Sequence, residues 1–339
     1  MSKSVSCKSC GGELNFYPAD SCLKCVKCNS KYSITKSLVN FKDISMTGAV
    51  EEFKINPKAG ALKCCSCGAA FTGDKLKMSQ VCEYCGSHLV EDFSKGGSVI
   101  PDAIIPYAFD VDEARRRFAD NIKRKAFIPN VFKKSAPIEN ITSIYIPAFV
   151  FKCKSCNTYF GKLEKKESDS DGDYYKVFTI DGTQFCEDTM MLECSDFITQ
   201  TTLEEIKPYD LQALTKFKPG FIMGYSVEHL NRTLSSVREE AKQVHSKFVR
   251  RSILSKYSYD RVRSLDIKTE YVSSSYAYTI IPTYKISYTY KDRKYDTFMN
   301  GQTGKLCSNV PRSAWKICRT IFLILGAVAG LAYLFSKYL

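Results

Sequence analysis

CKSCGGELNFYPADSCLKCVKC at residues 7–28 and CCSCGAAFTGDKLKMSQVCEYC at residues 64–85 carry one cysteine pattern twice. Cys7-x2-Cys10-x14-Cys25-x2-Cys28 recurs as Cys64-x2-Cys67-x14-Cys82-x2-Cys85, every cysteine displaced by 57 residues. Ser9, Gly11 and Ser30 recur with them as Ser66, Gly68 and Ser87. Two Cys-x2-Cys knuckles at this separation are the spacing of a four-thiolate zinc ribbon, in which a tetrahedral ion closes two hairpin tips on each other. A span of 22 residues buries too little apolar surface to fold alone, so the metal must supply the folding free energy. Disulfides or scattered free thiols would not need matched knuckles. The sequence therefore predicts two Zn2+ sites in ribbons at 1–35 and 61–93, with 36–60 as a linker.

The other end of the chain is apolar. TIFLILGAVAGLAYLF at 320–335 has no charge, and with its flanks it predicts a membrane-spanning helix over 315–338. Trp315, Tyr333 and Tyr338 suit the interfaces, and Arg319 and Lys337 can snorkel. A buried core helix is the alternative. Lys305, Arg312, Lys316 and Arg319 precede the span and only Lys337 follows, so the positive-inside rule puts the N-terminal domains in the cytosol. The expectation is a tail-anchored, single-pass protein of the cell membrane. Sixteen cysteines agree with a reducing compartment. Gly326-x3-Gly330 would let two such helices pack as a homodimer.

Between these ends lies enough chain for a sizeable core, expected as two α+β units with antiparallel sheet at 99–210 and 211–312. In the first, Asp110 to Glu113 form a capping box ahead of Val111, Ala114, Phe118 and Ile122; ITSIYIPAFVFK at 141–152 reads as a strand with Pro147 near an edge or bulge. EKKESDSDGD at 164–173 reads as an acidic loop. In the second, Ser226 is the expected cap of a long helix carrying Val227 to Phe248 on one face, a core-facing stripe or a coiled coil. Strands around Pro282 and at 294–299 follow. The shared order of helix, Ile-Pro strand and hairpin suggests a duplication.

The net charge is +13, and 211–310 holds seventeen basic against eight acidic residues, +9. Lying next to the anchor in sequence, this surplus is expected to meet anionic lipid. Nucleic acid is the less favoured alternative, with Arg250, Arg251, Lys256, Arg261 and Arg263 as the phosphate-contacting patch.

Several stretches carry a family resemblance. CKSCGGELNF, CVKC, CEYCGSHLV, KAFIPNVF, IYIPAFVF, KPYDLQALTKFKPGFIMGY and YDTFMNGQTGKL together resemble a family of bacterial TFIIB-type zinc-ribbon membrane proteins, often mislabelled as the primosomal replication-restart helicase. The likeness spans most of 1–310 and implies ribbons and a membrane setting but no activity. Likeness to the helicase itself is confined to the ribbons.

Catalytic patterns are sparse. Gly301-Gln-Thr-Gly304-Lys305-Leu306 has glycines only three apart and Leu306 where a phosphate loop needs a hydroxyl, so a hairpin turn is expected. His88 is not needed by a complete thiolate set, and His229 and His245 are expected as solvated or capping residues of one helix. Cys153-x2-Cys156 resembles a knuckle and, with Cys186 and Cys194, is the candidate for a third zinc; structural cysteines at strand ends are the alternative. The sequence thus points to a non-enzymatic membrane adaptor whose ribbons recognise a protein partner. A nucleic-acid binder and a thiol-based redox or metal sensor are the alternatives.

Overall fold

The computed structural model describes residues 7–53, 62–63, 69–71, 79–81, 84, 88–90, 99–135, 138–169, 172–195, 197–291, 293–307 and 310–338. β1 (Leu14–Tyr17), β2 (Cys22–Cys25) and β3 (Lys31–Ser33) form an antiparallel meander. The short strand β4 (Lys42–Asp43) precedes two antiparallel pairs, β5 (Leu62–Lys63) with β6 (Ala70–Phe71) and β7 (Ser79–Val81) with β8 (His88–Val90). Next come β9 (Ala103–Ile104), α1 (Val111–Arg124), α2 (Asn130–Ser135) and two long strands, β10 (Ile138–Asp169) and β11 (Gly172–Glu193). α3 (Gln200–Ile206), β12 (Thr215–Lys216) and β13 (Ser226–Val227) lead to α4 (Leu234–Leu254). β14 (Arg261–Tyr290), β15 (Arg293–Asn300) and α5 (Ala314–Tyr338) complete the order.

The stretches expected as two units share one sheet. β10 and β14 lie antiparallel from Ile138↔Tyr288 to Glu164↔Arg261, with Ile146 directly opposite Ile281. That pair is the centre of a pseudo-twofold. Pro147 faces Ile280 and Pro282 faces Tyr145. β13 runs parallel to β10 at Ile144–Tyr145, and β9 runs parallel to β14 at Thr279–Ile280. Beyond each proline the outer neighbour changes, to β11 from Ala148 and to β15 from Thr283. A proline cannot donate to a ladder, and both sit where one neighbour hands over to the next, so neither breaks a ladder bond. Each proline carbonyl is used there, accepting from Cys194 N at 3.0 Å and from Gly301 N at 2.8 Å.

The helices follow the same symmetry. Asp110 caps α1 by accepting from Glu113 N, and Thr233 caps α4 by accepting from Ser236 N. α1 buries Ala114, Phe118 and Ile122 with Tyr284, Ile286 and Tyr288 of the β14 hairpin. α4 buries Val237 and Ala241 against Phe149 and Phe151 of β10 and Met190 and Leu192 of β11, so its apolar stripe is core-facing. The helix begins seven residues later than expected, capped by Thr233 rather than Ser226, because 226–227 are a strand and Asn231 and Arg232 donate their N–H groups to Cys194 O.

Two further expectations are corrected. Of the stretch 164–173, residues 164–169 end β10 and 172–173 begin β11 rather than forming a loop, and Lys166 pairs with Asp173 and Glu167 with Lys176 across the strands. The described part of the linker, 36–53, is a strap across the sheet. β4 pairs with β14 at Ser275–Tyr276, Phe53 stacks on Phe149 at 5.7 Å, and Glu52 accepts from the first amides of α4, Leu234 N at 2.8 Å and Ser235 N at 2.9 Å. Burial disfavours the Glu52 carboxylate, but its bonds to Ser235 and Leu234 and the nearby Arg238 outweigh that and hold its pKa low.

α5 contains one segment, Ala314–Leu334, of mean hydropathy 2.0 and with none of it buried, long and apolar enough to cross a bilayer.

Candidate metal centre

The meander β1–β3 is built around four thiols. Cys7 and Cys10 precede β1, Cys25 ends β2 and Cys28 follows it. Each knuckle closes identically: Gly11 N donates to Cys7 O at 2.8 Å, and Asn29 N donates to Cys25 O at 3.0 Å. Gly11 and Asn29 sit at φ 70 and 60, the left-handed conformation these two residue types tolerate best. Gly12 lets the knuckles close up, since a Cβ there would stand 3.2 Å from Cys25 Sγ and 3.3 Å from Cys10 Sγ.

All four Sγ atoms lie within 4.8 Å of one another, with Cys7–Cys28 and Cys10–Cys25 each at 3.5 Å. Tetrahedral metal–sulfur bonds of about 2.3 Å need sulfurs about 3.8 Å apart, so the set fits one metal ion. Cys7 and Cys25 are buried, while Cys10 and Cys28 lie on the solvent side. Four thiols this close share protons unevenly. The Tyr32 hydroxyl, 3.3 Å away, brings Cys7 down to about 5 despite burial. The Gly12 N–H favours the Cys10 thiolate, but hydrogen bonds to Cys28, Cys25 and Cys7, together with burial, push Cys10 up to about 12. Bonds from Ser30 lower Cys28. A dication bound here would displace the shared protons.

The meander is seated on the body. Phe16 packs edge-on against Phe221 at 5.3 Å, its N–H donates to Met223 O at 2.9 Å, and Tyr225 Oη donates to its carbonyl at 3.4 Å. Gly220 admits Ile34 and Leu23, whose side chains would lie 3.2 and 3.5 Å from a Cβ there. Leu14, Phe16, Leu23 and Cys25 belong to the same buried cluster as Tyr107, Phe118 and Tyr284. The segment KPGFIMGY at 218–225 is therefore the meander's seat.

Cys64, Cys67, Cys82 and Cys85 lie outside the described residues. The strand pair β7–β8 flanking the second two of them joins the main sheet through Val227↔Ser79. The candidate third set is not assembled. Cys153 and Cys156 stand three apart on one continuous strand and so on opposite faces. Cys153 and Cys194 are buried under the first half of α4, and Cys186 packs with Val249 and Ile253 near its end. Among the described residues, Cys7, Cys10, Cys25 and Cys28 are the one group of thiols, imidazoles and carboxylates close enough to hold a metal.

His229 precedes α4, whereas His245 lies on the covered face of that helix and is fully buried. Its Nε2 lies 2.8 Å from Ser155 Oγ and its Nδ1 3.6 Å from Asp188, while Asn157 donates to Ser155 Oγ at 2.9 Å. The order Asp188–His245–Ser155 imitates a nucleophilic triad, but Ser155 is 1% exposed and sealed between helix and hairpin, so it is an interior polar lock. The expectation of a solvated His245 is thereby corrected. Alternation along 153–159 was the available signal, since Ser155 and Asn157 share the covered face with Cys153 and Tyr159. The 301–306 stretch is a turn, with Asn300 Oδ1 accepting from Gln302 N and Thr303 N.

The basic stretch 250–263 is not beside α5. It lies at the Arg261 end of β14, whereas the other end, Tyr288–Tyr290, packs on Phe132 of α2, next to the start of α5. Thirty residues at about 3.3 Å each separate these ends by on the order of 90 Å along the strand. There Arg261 lies over the Tyr175 ring at 4.0 Å and Arg263 lies 3.9 Å from Glu164.

No family model and no solved structure matches the chain. Among curated proteins it is similar to the uncharacterized protein YdjG of Bacillus subtilis (strain 168), at 26% identity over 229 residues, covering 65% of this chain and 67% of that protein.

Proposed function

We propose that this protein is a membrane-anchored, cytosol-facing scaffold in which zinc ribbons recognise a protein partner and no reaction is catalysed. The reading is carried by one observation: a closed four-thiolate cluster is seated on a large body whose C-terminal helix is apolar and uncovered. Four thiolates suit Zn2+ and leave no open coordination position, which fits a structural ion rather than a catalytic one. Equal spacing supports a second Zn2+ at Cys64, Cys67, Cys82 and Cys85. Crosslinking and pull-down from intact membranes tests the reading. A partner captured by the full chain should be lost when Cys64 and Cys67 are replaced by Ser, and partner capture indifferent to the ribbons would overturn it.

A second reading is favoured by the place of Arg250, Arg251, Arg261 and Arg263. These cations stand at the end of β14 remote from the anchor, where a soluble polyanion can reach them. Oligonucleotide binding well tighter than the 10⁻⁴–10⁻⁶ M typical of nonspecific contact would promote nucleic acid over a protein partner.

A further inference from the structure

We propose that the turn between α1 and α2 is a second membrane contact, a foot that rests on anionic headgroups beside the point where α5 enters the bilayer. The proposal rests on the reading of α5 as an anchor.

The joint between α5 and the body is tight. Ser313 N donates to Phe127 O at 2.7 Å. Lys316 Nζ reaches Ile128 O at 2.8 Å, Asn130 Oδ1 at 2.7 Å and Ala126 O at 3.4 Å. The first turn of α5 thus holds residues 126–130 directly beside it.

What surrounds this joint is both apolar and cationic. Phe127 is 40% exposed and Val131 71%, the first bonded through its carbonyl to Ser313 and the second next in sequence to the Asn130 that Lys316 holds, and Trp315, 70% exposed, lies in the first turn of α5. Lys123 and Arg124 end α1, Lys133 Nζ donates to Lys123 O at 2.9 Å, and Arg319 lies over the Trp315 ring at 5.3 Å; the exposed Asp120, 3.8 Å from Lys123 Nζ, offsets one of these charges. Large apolar side chains left in water beside an uncovered helix need a cover, and the cover must also accept cations. A leaflet with anionic headgroups supplies both, taking the rings at its interface and the ammonium and guanidinium groups at its surface. A second copy of this chain would bring the same cations against each other. Each basic residue near such a surface strengthens attachment about fivefold.

The chain contains a single tryptophan, Trp315, which makes depth measurable. The full chain is placed in vesicles whose lipids carry bromine on the acyl chains, either with phosphatidylglycerol or with phosphatidylcholine alone. Wild-type emission reports the anchor and should be quenched in both. In Trp315→Phe/Val131→Trp the sole indole moves to the foot. It should be quenched at least twofold in the anionic vesicles, and less after Lys123→Gln, Arg124→Gln and Lys133→Gln are added. Wild-type quenching without quenching of the moved indole would refute the foot and leave the anchor standing. Absence of quenching in both would remove the two together. Equal quenching of the moved indole in both lipids would refute headgroup recognition. Because a substitution can perturb folding, amide exchange of 123–134 in the wild-type chain gives a second readout. It should slow severalfold in anionic nanodiscs relative to zwitterionic ones, and unchanged exchange would count against the foot.

Discussion

Replacing Cys25 by Ser should destabilise the body as well as the ribbon. Cys25 is fully buried and is one of four sulfurs within 4.8 Å, so its loss would leave the proposed metal ion with three ligands and the two knuckles without their common tie. Without the ion the meander has too small a core to persist. Its unfolding then strips Phe16 and Leu23 from Phe221, Gly220 and Tyr225. At about 1.5–3 kcal/mol for each large side chain, the body loses roughly 3–6 kcal/mol. At an m value of about 3 kcal/mol/M, that moves the urea midpoint down by roughly 1–2 M. Amide exchange on the full chain in detergent localises the effect, with Ser9→Ala as an exposed control. Protection should fall at 219–225 and at the buried ends of α1 and β14, as well as at 7–33. Faster exchange confined to 7–33, with an unmoved urea midpoint, would refute the claim that ribbon and body share one core.

Metal analysis of the full chain should give two zinc ions, unchanged by Cys153→Ser and reduced by one in Cys25→Ser; three ions in the wild type would revive the Cys153 cluster. Glu52→Gln should cost about 0.5–1.5 kcal/mol, modest because the carboxylate is exposed to solvent. Its pKa is depressed in the folded state, so this contribution is present above the unfolded value near 4.3 and lost as pH falls through the folded one; a pH titration of urea midpoints should show the wild-type advantage vanish in acid. Ser155→Ala leaves the buried His245 Nε2 without its partner and should lower stability by about 1–3 kcal/mol, read from thermal unfolding. A fluorophosphonate should leave Ser155 of the intact chain unlabelled, and labelling would mean that the hydroxyl is accessible after all.

Features that depend on neighbours in sequence were legible before the fold was known. The knuckles Cys7-x2-Cys10 and Cys25-x2-Cys28 and the Asp110 cap need only local geometry. The strap was not legible: Ile44 and Met46 step as in a strand but Met46, Val50 and Phe53 step as in a helix, so no single period runs through the segment, and it packs with residues of the sheet and α4. The extent of β10 was hidden because its covered face carries Ser155 and Asn157, whose hydroxyl and amide NH2 find their partners, His245 and Gln184, elsewhere in the chain. Nearness in sequence misled for 250–263. It precedes α5 by about fifty residues, yet most of that interval is spent running the length of β14.

A rigid hold on α5 at one end of so long a strand makes the body a lever. With a length on the order of 90 Å, a 5° change in the tilt of the helix would sweep the far tip through roughly 8 Å. Helix tilt responds to bilayer thickness, so if α5 spans a bilayer as proposed, the height of the tip above the membrane would report that thickness. Energy transfer from a dye at the β10–β11 tip to headgroup dyes, in bilayers of graded acyl length, would show the tip moving with thickness if Lys316 keeps the joint stiff. A tip height independent of acyl length would mean that the joint yields.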